Sequence, residues 1–347
     1  MKGYFHRVSS RTPTDFWINN VTLREAELAI EAGAAGCTQN PSFVWRILSG
    51  SEDQAMAEEI LERLMRENAD NNAVLSKLQA ELIGQICRKF FPLFERSRGK
   101  QGWVSIQGDP FHEDSDTIVA YGRQCRALAE NVIVKIPATL SGLAAIEQLL
   151  PEGTPILATE VMSLDQAAAV CDLYDRCAEK MANPPTVYMA QIAGIFDEHL
   201  RDVAKENGIE ADPELFFTAG TAVAKKVRRM MADRRSGVKF MSGGARGTYH
   251  FTELVGVDGC VTINWDGYAK RLLEENPAVI QRFHMAPDPA LIDELLQSFP
   301  AFRKAYTPDS LRPEEFESFG PVVKFRLAFE SGWRSGLDYI AQRRNAM

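Results

Sequence analysis

The chain has 347 residues, of which 45% are apolar and 25% charged, with a formal net charge of -8. That is ordinary globular composition with ample material for a large core, organised as one barrel or two domains. The negative charge argues against nucleic acid as the main partner.

The first predicted strand is Asp15–Asn19, followed by an amphipathic helix over Leu23–Ala32, with Leu23, Ala26 and Ile30 on one face. A second strand at Ala35–Thr38 leads into 52–97, a long, charged, helical insertion. Strands follow at Trp103–Gln107, Val132–Ile136, Pro155–Thr159, Thr186–Gln191, Val238–Ser242 and Cys260–Asn264. Helical stretches lie between them at Ser141–Leu150, Ser163–Cys177 and Gly194–Lys205. Residues 285–347 read as helices packed on the barrel, with Pro313–Pro321 as a turn-bounded helical element. Strand-helix repetition argues a parallel sheet, and eight repeats suit a closed (β/α)8 TIM barrel better than an open sheet. Neither insertion reads as an independent domain, so residues 1–347 are expected to form one unit.

Cys37, Cys87, Cys125, Cys171, Cys177 and Cys260 are scattered, with no CxxC pair and no metal spacing. Reduced, mostly buried thiols are expected. The start, Met1–Arg7, has no apolar run after its charge, and no segment has membrane-spanning length. The expected protein is soluble and cytoplasmic, without metal or organic cofactor, and a homo-oligomer is compatible with the sequence. The basic run Lys225–Arg229 with Arg234 and Arg235 has helical spacing and reads as a solvated helix face.

Lys135, in Asn131–Ala138, is the most informative residue. A lysine ending an apolar strand is short of water, and burial favours its neutral, nucleophilic amine. Such an amine forms Schiff bases with ketones and aldehydes; a snorkelling edge lysine is the other reading of the stretch. At a barrel's C-terminal face the strand ends line the active site. Alternation directs Asn19, Thr38, Asn40, Gln107, Thr159 and Gln191 toward the centre with Lys135. Amides and hydroxyls around one amine suit a polyhydroxylated carbonyl compound; satisfying backbone groups at loop starts is their alternative role. Ser242-Gly-Gly-Ala245 is either an anion-binding nest or a simple turn.

Several motifs, in order along the chain, resemble the transaldolase family. Trp17-Ile-Asn-Asn20 with Gly36–Ser42 is similar to its first two strands, and Val104-Ser-Ile-Gln107 to its third. Val132–Pro137 with Ser141–Ile146 is similar to its Schiff-base strand and helix, and Ala158–Ser163 to its fifth unit. Met241–Arg246 resembles the seventh unit, and Phe316–Val323 a C-terminal stretch of bacterial members. The resemblance implies that Lys135 forms an iminium with a ketose, cleaves the C3–C4 bond and passes a three-carbon enamine to an aldehyde. It makes Thr159 a holder of the catalytic water, Thr38 and Asn40 substrate contacts, and Arg246 a phosphate ligand.

The departures are equally specific. Asn19 stands where the family has an aspartate that deprotonates the C4 hydroxyl, and an amide cannot accept that proton. Gln107 stands where a glutamate works through the catalytic water, although the aldolase branch also has glutamine there. Gly194 replaces an arginine that follows the sixth strand, and Met189 replaces the serine that neighbours it. Asp109, two residues after Gln107, is the better substitute base, with helix capping as its other role. Glu160 points outward by strict alternation. Two further readings stay open: a divergent barrel with a binding or regulatory role, and a phosphate-binding isomerase or aldolase of different chemistry.

Overall fold

The computed structural model describes residues 3–346, so Met1 and Lys2 of the N-terminal run and Met347 of the C-terminal extension lie outside the described residues. Eight parallel strands close into a barrel in chain order. They are β1 (Thr14–Asn19), β2 (Gly36–Thr38), β3 (Trp103–Gln107), β4 (Val132–Pro137), β5 (Ile156–Val161), β6 (Val187–Ile192), β7 (Lys239–Gly243) and β8 (Gly259–Asn264). Each matches one of the runs expected from the sequence; β3 coincides with its run and the others differ by one or two residues at one or both ends, because hydrogen-bonded pairing, not hydrophobicity, sets where a strand stops. β4 and β5 are buried along their whole length, one face inside the barrel and the other under helices.

Below the mouth, the Trp17 and Tyr188 rings fill the barrel with centroids 5.2 Å apart. Gly36 is the register partner of Trp17, and a Cβ at Gly36 would stand 2.6 Å from the indole. The short second strand therefore has glycine where the wide indole passes.

The insertion forms two helices, Gln54–Glu67 and Asn71–Ser97. The chain ends in a long helix, Gly320–Asn345, which meets the insertion and reaches over the C-terminal face of the barrel. Trp333 Nε1 donates to Asn72 Oδ1 at 2.8 Å, and the Tyr339 hydroxyl donates to Glu58 Oε1 at 2.6 Å. Gly332 lets this helix approach Ser42, since a Cβ there would stand 2.4 Å from the Ser42 hydroxyl. Phe329 and Trp333 are buried beneath it; each such burial contributes roughly 1.5–3 kcal/mol.

Two expectations change. Pro313–Pro321 is not a helical element: only Pro313–Glu315 makes a single 3-10 turn, and Pro321 opens the final helix. Proline suits a first turn because its missing N–H would be unpaired there. The basic run is only partly a solvated face. Lys225 is buried against Glu253 at 3.1 Å, Lys226 donates to the Tyr306 carbonyl at 2.7 Å, and Arg228 pairs with Asp258. Arg229, Arg234 and Arg235 are exposed. All six cysteines are free thiols, five of them buried. No described helix is long and apolar enough to cross a membrane.

Candidate active site

Lys135 sits on β4, two residues before its end. Its register partners are Gln107 on β3 and Leu157 on β5. Side chains paired in register share a face of the sheet, so these three form one layer of the barrel interior. Lys135 is 7% exposed, and its Nζ lies 5.3 Å from the centre of the Phe329 ring. Burial pushes the amine below the ordinary lysine range, while Glu160 and then Glu113 pull it part of the way back.

Above this layer opens a cavity of about 220 Å³, lined by Asn19, Thr38, Asn40, Lys135, Thr159 and Arg246 among others. Phe325, Ala328 and Phe329 of the final helix form part of its wall, and Thr262 and Asn264 of β8 contribute polar groups. Asn19 is held at both ends. Its Nδ2 donates to Asn264 Oδ1 at 2.8 Å, and its Oδ1 accepts from the Thr38 hydroxyl at 2.9 Å. Thr38 also meets the Thr262 hydroxyl at 2.8 Å. Asn40 is set by its own loop, its N–H donating to Asn20 Oδ1 and its Oδ1 accepting from the Ser42 N–H, both at 3.0 Å. Arg246 reaches the rim, where its Nε lies 2.5 Å from Glu198 Oε2. Gln191 stands apart: its neighbours Ala190 and Ile192 line the cavity, while both its side-chain polar atoms are buried without a partner.

Strict alternation fails at β5. Ala158 pairs with Met189 and Val161 with Gln191, so Thr159 and Glu160 together oppose the single residue Ala190. This is a β-bulge, in which the extra residue breaks the alternation of faces. Glu160 takes φ 60°, a left-handed conformation uncommon outside glycine. Gln166 clasps the bulge: its Oε1 accepts from the Met162 N–H at 2.9 Å, and its Nε2 donates to the Glu160 and Ala138 carbonyls, each at 3.0 Å. Glu160 is therefore not directed outward. It is fully buried, and its Oε1 accepts from Gln107 Nε2 at 3.2 Å. Burial raises its carboxyl well above the ordinary range against the opposing pull of Lys135.

Asp109 is otherwise engaged. Its carboxylate accepts from the Phe111 N–H at 2.9 Å and Asn72 Nδ2 at 2.8 Å, and meets His112 Nδ1 at 2.7 Å. The expected capping role is not the one seen: Asp114 caps the helix that follows, and Asp109 holds the loop after β3. A second, half-buried carboxylate, Glu113, was not singled out in the sequence. Burial and then the nearby Glu160 raise it, while Arg326 of the final helix opposes them. Only its place in the loop after β3 hinted at the site.

The sequence profile of the transaldolase/fructose-6-phosphate aldolase family matches residues 16–306. The chain belongs to that family. It is 30% identical over 257 residues to a transaldolase of Thiobacillus denitrificans, covering 69% of this chain and 70% of that one. A transaldolase of Mycobacterium ulcerans is 34% identical over 160 residues, 45% of this chain and 42% of its own. A third, from Acidothermus cellulolyticus, is 27% identical over 237 residues, 65% and 61% of the two chains. The last two matches span less than two thirds of those relatives' lengths.

Within this family frame, Gly194 has a local explanation. A Cβ there would stand 2.2 Å from the Gly244 carbonyl oxygen and 2.7 Å from the Arg246 nitrogen. The loop after β7 packs directly on the position where the resemblance expects an arginine. The same loop is fixed from behind. The Arg246 N–H donates to His250 Nδ1 at 3.3 Å, so Nε2 carries the proton toward Asp197 Oδ2 at 3.0 Å. The Tyr249 hydroxyl at 2.7 Å and the Gly220 N–H at 2.6 Å complete the partners of the buried Asp197 carboxylate. Among the described residues, no group of three or more His, Cys, Asp or Glu is arranged to hold a metal.

Proposed function

We propose that this protein is a Schiff-base enzyme of the transaldolase type. On this reading Lys135 cleaves or transfers a dihydroxyacetone-type ketol unit of a sugar or sugar-like ketone. The observation that carries the reading is Lys135 itself: an amine 7% exposed, next to a cavity lined with hydroxyls and amides, and depressed toward its neutral form by burial. Asn19, Thr38, Asn40, Thr262 and Asn264 offer neutral donors and acceptors to successive hydroxyls of a substrate chain. Thr159 lines the same cavity as Lys135, and Gln107 is the register partner of Lys135 on β3.

The rim favours a substrate that is small or unphosphorylated. Arg246 is paired with Glu198, and no arginine side chain fits at Gly194 without moving the loop after β7. One paired arginine holds a phosphate less firmly than two free ones.

Borohydride reduction with a panel of ketoses and aldehydes, read by whole-protein mass spectrometry, tests the proposal. A substrate-sized adduct on Lys135 is expected, and none on Lys135→Met, which keeps the volume and apolar stem of the side chain. An adduct that survives Lys135→Met would assign the chemistry to another nucleophile.

A second reading is a barrel that binds a ligand but turns it over poorly. The amide chain Asn264–Asn19–Thr38 favours it, because it presents no base at the rim of β1. Ligand binding without any borohydride adduct would select this reading.

A further inference from the structure

We propose that Glu160 is the acid-base group of imine formation at Lys135, supplying from β5 the carboxyl that Gln107 cannot supply from β3. The inference rests on the Schiff-base reading above. Gln107 is the register partner of Lys135, and its Nε2 donates to Glu160 Oε1 at 3.2 Å, so amine and carboxyl flank one amide. The other carboxyl oxygen, Oε2, is buried without a protein partner, as are Gln107 Oε1 and Thr159 Oγ1. Three groups from β3 and β5 thus have hydrogen-bonding capacity to spare beside the layer that holds Lys135.

The backbone argues the same way. A glycine would adopt the left-handed conformation of position 160 freely. Instead a glutamate occupies it, fully buried, with its bulge held by Gln166, which accepts from the Met162 N–H and donates to the Glu160 carbonyl. Strain of this kind persists where the surroundings over-determine it, and it clusters at functional sites. The charged groups acting on the pair are Glu113 from the loop after β3, and Arg326 from the final helix, itself 3.0 Å from Glu317. Burial drives Glu160 and Lys135 in opposite directions, both toward an uncharged acid beside an uncharged amine.

That pair matches the step. The Lys135 amine adds to the ketone, and one of its protons passes to the oxygen, giving a neutral carbinolamine. Glu160 then gives its proton to the carbinolamine hydroxyl. The C–O bond breaks, its electron pair leaves with water, and the nitrogen lone pair forms the iminium. A carboxylate remains beside the cationic iminium. In hydrolysis water returns to the carbon, and Glu160 takes the proton back.

The test uses the full chain with dihydroxyacetone as probe, following the rate at which borohydride-trapped adduct accumulates on Lys135. Glu160→Gly tolerates the backbone conformation and removes the carboxyl. It should slow adduct formation by about 10²-fold or more, and added formate should restore at least part of the loss. Glu160→Gln should also be slow, with its rate-against-pH curve displaced to lower pH. Where Glu160 is ionised it holds the Lys135 pKa up, so removing that carboxylate lets the amine deprotonate earlier. A purely structural Glu160 would give no formate rescue; the displacement reports only its charge beside Lys135. Wild-type adduct formed equally fast by Glu160→Gly would overturn the role of Glu160 alone. No adduct with the wild type would remove the Schiff-base reading and this inference with it.

Discussion

The ring of Phe329, from the last helix of the chain, lies with its centre 5.3 Å from the Nζ of Lys135 on β4. Nearly two hundred residues of sequence separate them, and the contact exists only because the final helix reaches over the barrel mouth. The ring acts on the amine in two opposite ways. Its face favours the ammonium by about 0.5–2 kcal/mol. Its bulk excludes water, and desolvation of a buried lysine can shift its pKa by up to about 3–5 units. Desolvation is the dominant influence on Lys135 and lowers its pKa.

Phe329→Ala therefore admits water, and the pKa of Lys135 should rise. Adduct formation increases with pH as the amine loses its proton, so its midpoint should move to higher pH in the variant. The fold should lose about 3–5 kcal/mol, visible as a lower melting temperature. A midpoint that moves to lower pH would mean that the ring acts on Lys135 chiefly through its face.

Asn19 cannot take a proton from a substrate hydroxyl, so the wild type should cleave fructose 6-phosphate weakly or not at all with erythrose 4-phosphate as acceptor. Asn19→Asp should raise that cleavage by about tenfold or more, toward the 10²–10⁴ that a general base typically contributes. The Asn264 amide must turn to donate to the new carboxylate, which its side chain allows. Full turnover by the wild type would show that another group supplies the base.

The Glu198 carboxylate masks Arg246 at the rim. Glu198→Gln should leave the guanidinium free for an anion and tighten inorganic phosphate binding, by about tenfold for one charge-assisted contact at a partly exposed site. Isothermal titration with phosphate decides it. Unchanged affinity would show that Arg246 already leaves Glu198 when an anion arrives.

Gly194→Ala places a methyl against the Gly244 carbonyl and the Arg246 nitrogen, both backbone atoms with little freedom to retreat. Overpacking of this kind costs about 1–3 kcal/mol. Thermal unfolding should show the loss, and phosphate affinity should not improve. A melting temperature equal to wild type would mean that the loop after β7 shifts easily and that position 194 has room for a longer side chain.

The barrel was legible in the sequence because strand and helix leave different periodicities, and eight short strand-like runs alternate with helical stretches. Lys135 was legible for a related reason: a charge near the end of an otherwise apolar strand breaks the pattern. Asn19, Thr38, Asn40, Thr159 and Arg246 followed from strand ends and motif order, and they line one cavity with Lys135. Three things depended on the tertiary structure. Alternation placed Glu160 outside, but a bulge is a mismatch between two strands, and a single strand carries no record of its partner's length. Asp109 looked available until the Asn72 and His112 side chains and the Phe111 N–H were seen to hold it. The pairs Phe329–Lys135 and Glu198–Arg246 join segments distant in the chain, and no local pattern encodes which charge or ring another element will bring. The sequence by itself determined which strand carries the amine. The closure of the barrel and the path of the last helix decided which carboxyl stands beside it and how dry it is.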